Sequence, residues 1–202
     1  MFVQVIQGKV ADAAAARAQL DAWVGGLAPG AQGWLGSTAG VSDSGELLLL
    51  ARFESEEAAQ RNSDRPEQSA WWQEMAAAFS GDPEFRNSTA VDVDLPGDPD
   101  RAGFVQIMQG RTNDPDRSRE LMAQDPTDWA SVRPEILGTM NALHEDGAWT
   151  MAIYFTSEEE ARRGEQQEMP PELAEIMREL ESLAVGETVY HDLREPWLHS
   201  PA

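Results

Sequence analysis

The run Phe2-Val3-Gln4-Val5-Ile6-Gln7-Gly8-Lys9 returns as Phe104-Val105-Gln106-Ile107-Met108-Gln109-Gly110-Arg111, so position 2 maps to position 104 at an offset of 102. The offset then holds without a gap. Leu35-Gly36 meets Leu137-Gly138, Gly45 meets Gly147, Phe53 meets Phe155, and Ser55-Glu56-Glu57 meets Ser157-Glu158-Glu159. A register kept this far marks a duplication, and a repeat has to be settled before any motif is read. Length and apolar content leave one large domain or two small ones open at 202 residues and 41% hydrophobic, and the repeat decides for two.

Each copy reads β-α-β-β-α-β. Residues 2–7 and 104–109 are β-branched and aromatic runs closed by glycine, which is a strand signature. In copy one, Asp12 caps a helix whose apolar positions Ala16, Leu20, Trp23, Val24 and Leu27 fall on one face and stop near Gly25-Gly26. In copy two, Asp114-Pro115 sets a capping acid before a proline at the first helical position. Strands 34–41 and 46–53 flank a turn ending in Gly45, and strands 136–143 and 148–155 flank one ending in Gly147. Ser55 and Ser157 cap the second helices, which Pro66 and Pro170-Pro171 break and restart. Closing strands are expected at 84–93 and 187–193, with a Pro/Gly/Asp linker over 94–100.

Such a unit covers one sheet face with its helices and leaves the other needing cover, because these strands carry apolar residues at both parities. Packing two open faces together buries both at roughly 25 cal/mol per Å². The expected fold is α+β: two tandem ferredoxin-like repeats packed sheet to sheet as an intramolecular pseudo-dimeric α/β barrel. The expected boundaries are repeat one at 1–95, linker at 96–102, repeat two at 103–195 and a tail at 196–202 that docks on a neighbouring surface through Trp197 and Leu198.

Composition excludes several functions. A net charge of -21 repels phosphate backbones and anionic headgroups, so nucleic acid and membrane surfaces are not expected partners. With no cysteine, disulfides, thiolate metal sites and cysteine nucleophiles drop out. The start of the chain lacks a basic n-region, no apolar run reaches membrane-spanning length, and a cytoplasmic location is expected. No GxSxG, P-loop or GxGxxG motif is present. His144, His191 and His199 have no metal-ligand spacing, so neither a metal nor a cofactor is expected.

The FVQVIQG and FVQIMQG openings, the LLLLARFESEEAA and WTMAIYFTSEEEAR segments and the NSDRPEQSAWW stretch resemble the dimeric α/β barrel superfamily, and within it the antibiotic biosynthesis monooxygenase-like proteins. That resemblance implies a ligand pocket between sheet and helices in each unit, lined by an asparagine, a tryptophan and strand polar groups. Carried onto copy one, it picks Asn62, Trp71 and Trp72 on the second helix, and Arg86 on the fourth strand as a cation for a phenolate or peroxide. Gln4 and Gln7 are candidate pocket amides or structural hydrogen-bond partners. The bland reading makes the aromatics ordinary core and Asn62 a helix-end cap. Copy two has Gly164, Leu173 and Ala174 at the positions of Asn62, Trp71 and Trp72, so one functional half and one supporting half are expected. A haem-degrading relative would need a histidine on the second long helix, and 66–79 and 171–183 contain none.

The implied function is binding of a small hydrophobic or aromatic molecule, either as a cofactor-independent monooxygenase for aromatic or polyketide-type substrates or as a non-catalytic binding or assembly module. Further homodimerisation of the fused chain stays open.

Overall fold

A computed structural model describes residues 1–125 and 127–201. The chain divides into two compact units, 1–91 together with 193–202, and 92–192.

The first unit runs β1 (Phe2–Lys9), α1 (Ala13–Gly26), β2 (Trp34–Val41), β3 (Glu46–Phe53), α2 (Glu56–Ser63), α3 (Pro66–Ala76) and β4 (Glu84–Ser88). The second sheet and its helices use β5 (Ala90–Asp94), β6 (Phe104–Arg111), α4 (Pro115–Ala123), α5 (Trp129–Val132), β7 (Ile136–Leu143), β8 (Ala148–Phe155), α6 (Glu158–Gly164), α7 (Pro171–Leu183) and β9 (Val189–Leu193). A last strand, β10 (Trp197–His199), pairs with β2. The sheet orders are β10-β2-β3-β1-β4 and β5-β7-β8-β6-β9. Without the extra edge strand, each copy orders its own strands second-third-first-fourth, the ferredoxin-like arrangement, so the chain is a tandem of two ferredoxin-like repeats.

Local chemistry explains the shared plan. Asp12 and Asp114 accept from the backbone amides of Ala15 and Arg117, and Ser55 and Ser157 accept from Ala58 and Glu160, which satisfies donors that a helix start leaves open. Gly45 and Gly147 take φ values of +75° and +79° at the hairpin turns, a region that L side chains avoid. The duplication reaches the irregularities too: pairing shifts register between Trp34 and Gly36 and again between Ile136 and Gly138.

In the first unit, one strand parity, with Phe2, Ile6, Leu49 and Phe53, packs under the helices against Leu20, Trp23 and Met75. The opposite parity, Val3, Val5, Leu48 and Leu50, is buried just as fully. In the second unit, Phe104 and Phe155 on one parity and Val105, Ile107 and Tyr154 on the other are buried alike. Among the described residues, each sheet therefore carries buried apolar side chains on both faces.

One expectation needs correction, and the linker and tail gain detail. The strand expected at 84–93 is two strands, because the chain bends at Thr89. There the Ser88 hydroxyl both accepts from the Ala90 amide and donates to its carbonyl, at 3.1 Å each, replacing ladder bonds where the chain changes sheets. The linker at 96–102 holds a short 3₁₀ turn, Pro99–Arg101, capped by Asp98. In the tail at 196–202, Trp197 is buried in the first unit's core and β10 adds an edge strand beside β2, while Ala202 lies outside the described residues. The compact units therefore divide at 91/92 and 192/193.

Candidate functional site

A cavity of about 460 Å³ lies in the first unit between the sheet and the α1–α3 layer. Its walls are aromatic, with Trp23, Trp34, Trp71, Trp72, Phe53 and Phe85. Gln4 and Ser37 come from the sheet, and Asn62, Ser63, Gln68, Ser69 and Gln73 from α2 and α3. Among the described residues that line it, none is titratable.

The rings form a connected series. Trp23 meets Trp34 edge-on at 5.0 Å between centroids, Trp71 at 6.2 Å, and Trp71 meets Trp72 at 5.9 Å. Trp72 continues to Phe85 at 5.1 Å, where the series reaches the surface because Phe85 is 49% exposed on the edge strand β4. Both indole donors that bridge α1 and α3 are satisfied by protein groups: Trp23 Nε1 donates to Gln68 Oε1 at 2.6 Å, and Trp71 Nε1 to the Gln19 carbonyl at 2.8 Å. These bonds fix ring orientation while the ring faces remain apolar.

Asn62 ends the buried face of α2, four residues after Ala58, and is only 6% exposed. The next turn is set by Pro66, which holds Arg65 extended at φ -71° and ψ 130°. Arg65 NH1 donates to Asn62 Oδ1 at 3.0 Å and to the Leu27 carbonyl at 3.1 Å, and its Nε donates to Glu67 Oε1 at 3.0 Å. The exposed Glu67 carboxyl lies below its ordinary value, first through a backbone amide bond at the start of α3 and then through Arg65.

Of the residues expected from sequence, Asn62, Trp71, Trp72 and Gln4 sit around this cavity. Arg86 and Gln7 do not, and both depart for the same reason. Paired residues of an antiparallel ladder point to one face, and faces alternate at every residue. Gln4 pairs with Asn87 and Ile6 with Phe85, which puts Asn87 and Phe85 on the cavity face; Arg86 pairs with Val5, on the opposite face. Arg86 makes an ion pair at 3.7 Å with Glu84, and Gln7 donates to Glu46 at 3.0 Å. The phenolate-stabilising cation expected at Arg86 is therefore absent from the cavity. Gln4 faces it and donates to Asn87 Oδ1 at 3.2 Å.

Sequence reasoning missed Trp23, Trp34, Phe85, Gln68 and Arg65. Trp23 was legible only as one position of an apolar helix face. Phe85 could have been found by carrying strict alternation from Gln4 and Ile6 onto the paired strand.

The second unit places different side chains at the equivalent positions. A Cβ on Gly164 would collide with the side chains of Arg133 and Glu135, which pair with each other and are 16% and 7% exposed. Gln106, the repeat of Gln4, donates to Asp192 at 3.0 Å; Asp192 also pairs with Arg162, whose guanidinium lies 5.2 Å from the Phe104 ring centre. Where unit one has uncharged rings around a void, unit two has ion pairs.

Among the described residues no group of histidines and acids could hold a metal ion, and no helix is long and apolar enough to cross a membrane. The molecule is thus a tandem ferredoxin-like protein with an aromatic cavity in its first unit.

No protein-family profile and no curated protein matches the chain. Solved structures do. A candidate monooxygenase of Lactobacillus acidophilus shares 11% identity at a TM-score of 0.74, covering 98% of this chain and 99% of that one. An anthrone oxidase-like protein shares 12% at 0.70, covering 98% and 92%. A ferredoxin-fold protein of Listeria monocytogenes, related to antibiotic biosynthesis monooxygenases, shares 13% at 0.51, covering 100% and 95%. The likeness is one of fold: this chain shares the tandem ferredoxin-like plan of these structures over almost its whole length.

Proposed function

We propose that the first unit binds a planar, uncharged aromatic molecule of polyketide type in the manner of cofactor-independent monooxygenases. The observation that carries this reading is the cavity itself: about 460 Å³, walled by indole and phenyl rings, with uncharged amide and hydroxyl side chains among them. Ring faces held by hydrogen bonds at their edges favour stacking on a flat ligand. The lack of charge favours a neutral one, because an apolar enclosure disfavours ions.

The same lining limits the chemistry. With no acid or base at hand, the protein desolvates and orients, and any proton lost by the substrate goes to solvent. Oxygenation is then confined to substrates that ionise readily by themselves. For an anthrone the balance is one O₂ consumed, two hydrogens lost from the ring methylene, one oxygen atom kept as the new carbonyl and one released in water. The absence of a general base also favours a second reading, a binding protein without turnover.

A thermal-shift screen against anthrones, quinones, quinols and phenols tests binding, since a ligand at a hundred times its Kd stabilises by about 2.7 kcal/mol. Oxygen uptake with anthrone, matched to anthraquinone formed, separates the two readings. Uptake above the protein-free rate, abolished in Trp71→Ala, supports the monooxygenase; binding without uptake supports the carrier. No shift with any aromatic removes both.

A further inference from the structure

A side-chain amide presents either an N–H or an oxygen, and its neighbours decide which. At Asn62 the neighbour is Arg65, and a guanidinium has no acceptor. The atom facing Arg65 NH1 at 3.0 Å is therefore Oδ1, and Nδ2 is left for the cavity that Asn62 lines. At Gln68 the neighbour is the Trp23 indole, which is also donor only. Its Nε1 at 2.6 Å takes Oε1, leaving Nε2 as the free donor of a residue that lines the cavity. Among the described residues neither leftover N–H₂ group has a hydrogen-bond partner, and neither residue can flip without setting donor against donor.

Arg65 is held firmly enough to enforce this. It is 19% exposed, anchored to the Leu27 carbonyl and to Glu67, and its NH2 packs 2.7 Å from where a Cβ on Gly30 would stand. The Gly30 gap has a use: only glycine leaves room for the guanidinium there.

Resting on the reading of the cavity as a site for neutral aromatics, we propose that Arg65 is a positioning residue, which together with Trp23 locks Asn62 and Gln68 as donors. The site thereby selects rings carrying a carbonyl oxygen, quinones and aryl ketones, over the same rings without one. A donor pair with no protein acceptor beside an aromatic wall favours a ligand that brings an acceptor in place of water.

The test uses 9-fluorenone and fluorene, which share a shape and differ by a carbonyl against a methylene, with tryptophan quenching giving Kd for the full chain. The wild type should prefer fluorenone by about tenfold, one net hydrogen bond. Arg65→Met and Gly30→Ala should bring the preference to about twofold without weakening fluorene, since neither touches the ring contacts. Arg65→Lys, still a pure donor, should restore it. Asn62→Asp, which turns an acceptor to the cavity, should invert it.

Equal affinity of the wild type for the two probes, or an unchanged preference in Arg65→Met and Gly30→Ala, overturns the proposal and leaves the cavity reading standing. Binding of neither probe overturns both. If Arg65→Met does not fold, Gly30→Ala decides, because it deletes no hydrogen-bonding group.

Discussion

Gly164 occupies the repeat position of Asn62, and its lack of a side chain is what lets the second unit keep a buried ion pair. A Cβ there would press on Glu135 Oε1 and on Arg133 Nε and NH2 well inside van der Waals contact. Both groups are largely buried and paired, so the collision is not relieved by swinging a free side chain into solvent. Gly164→Asn must then separate the pair or displace it together. Separating a buried pair leaves an uncompensated charge at a cost of about 3–5 kcal/mol. For a chain of 202 residues the lower figure corresponds to a Tm loss of roughly 6–12 °C. Urea and thermal unfolding of Gly164→Asn against wild type measure this directly. Adding Arg133→Ala and Glu135→Ala removes both charges and the obstruction, so the triple variant should be more stable than the sum of its parts by more than about 1 kcal/mol. A single variant within about 0.5 kcal/mol of wild type, the range of ordinary surface changes, would refute the claim that ion pairs close this space.

Three further outcomes follow from the same geometry. Arg86→Ala should leave fluorenone affinity within about twofold, whereas Phe85→Ala, one residue away on the cavity face, should weaken it about tenfold through lost ring contact; the reverse pattern would mean the strand register is misread. Removing residues 196–202 strips Trp197 from the first unit's core and Arg17 from its place 5.8 Å over that ring. Exposing the surface it buries should cost about 2–3 kcal/mol in urea unfolding, and an unchanged midpoint would show that β10 is dispensable. Arg117 on α4 donates to Glu179 on α7 at 2.7 Å, raising the guanidinium above its ordinary value and holding the Glu179 carboxyl below 4.5. A carboxylate depressed on folding stabilises above 4.5 and loses that contribution as pH falls through its lowered value, while Arg117 stays charged. The stability gap between wild type and Arg117→Ala should thus be small, narrow below pH 4.5 and shrink with salt; a gap that widens on acidification would contradict the assignment.

The fold was legible because its determinants are local and repeated. Capping residues Asp12, Ser55, Asp114 and Ser157, the turn glycines and the helix-breaking prolines each act within a few residues, and the 102-residue offset allowed every element to be read twice. The bend at Thr89 was not legible, since it depends on Ser88 satisfying the Ala90 backbone in place of a ladder partner. The site was legible only in part. Asn62, Trp71 and Trp72 cluster in sequence on two consecutive helices, so a composition signal exists. Arg86 failed by one residue: chemistry suggested the cation, and only the pairing of Val5 with Arg86 and Ile6 with Phe85 says which side chain meets the cavity. Arg65 was hidden because its role runs through contacts to Leu27 and Gly30, more than thirty positions away.

An open cavity inside a packed layer needs an account of why it does not collapse, since interiors otherwise reach close packing. Here the rings nearest the void are restrained at their polar edges: Trp23 by Gln68, Trp71 by the Gln19 carbonyl. Tilting either ring inward would break a hydrogen bond in a poorly solvated place, at about 1 kcal/mol or more each. Leucines would carry no such tether and could settle into the space. In the second unit the positions of Trp23 and Trp71 hold Asp125 and Leu173, and Asp125 accepts at 2.8 Å from the indole of Trp129, which packs on the Phe104–Phe155 cluster, while Arg133 pairs with Glu135 and Arg162 with Asp192. The two copies therefore share a backbone plan and differ in the side chains at the helix–sheet layer: Asn62, Trp71 and Trp72 in the first, Gly164, Leu173 and Ala174 in the second. The proposed binding function is accordingly placed in the first unit, where the aromatic cavity lies.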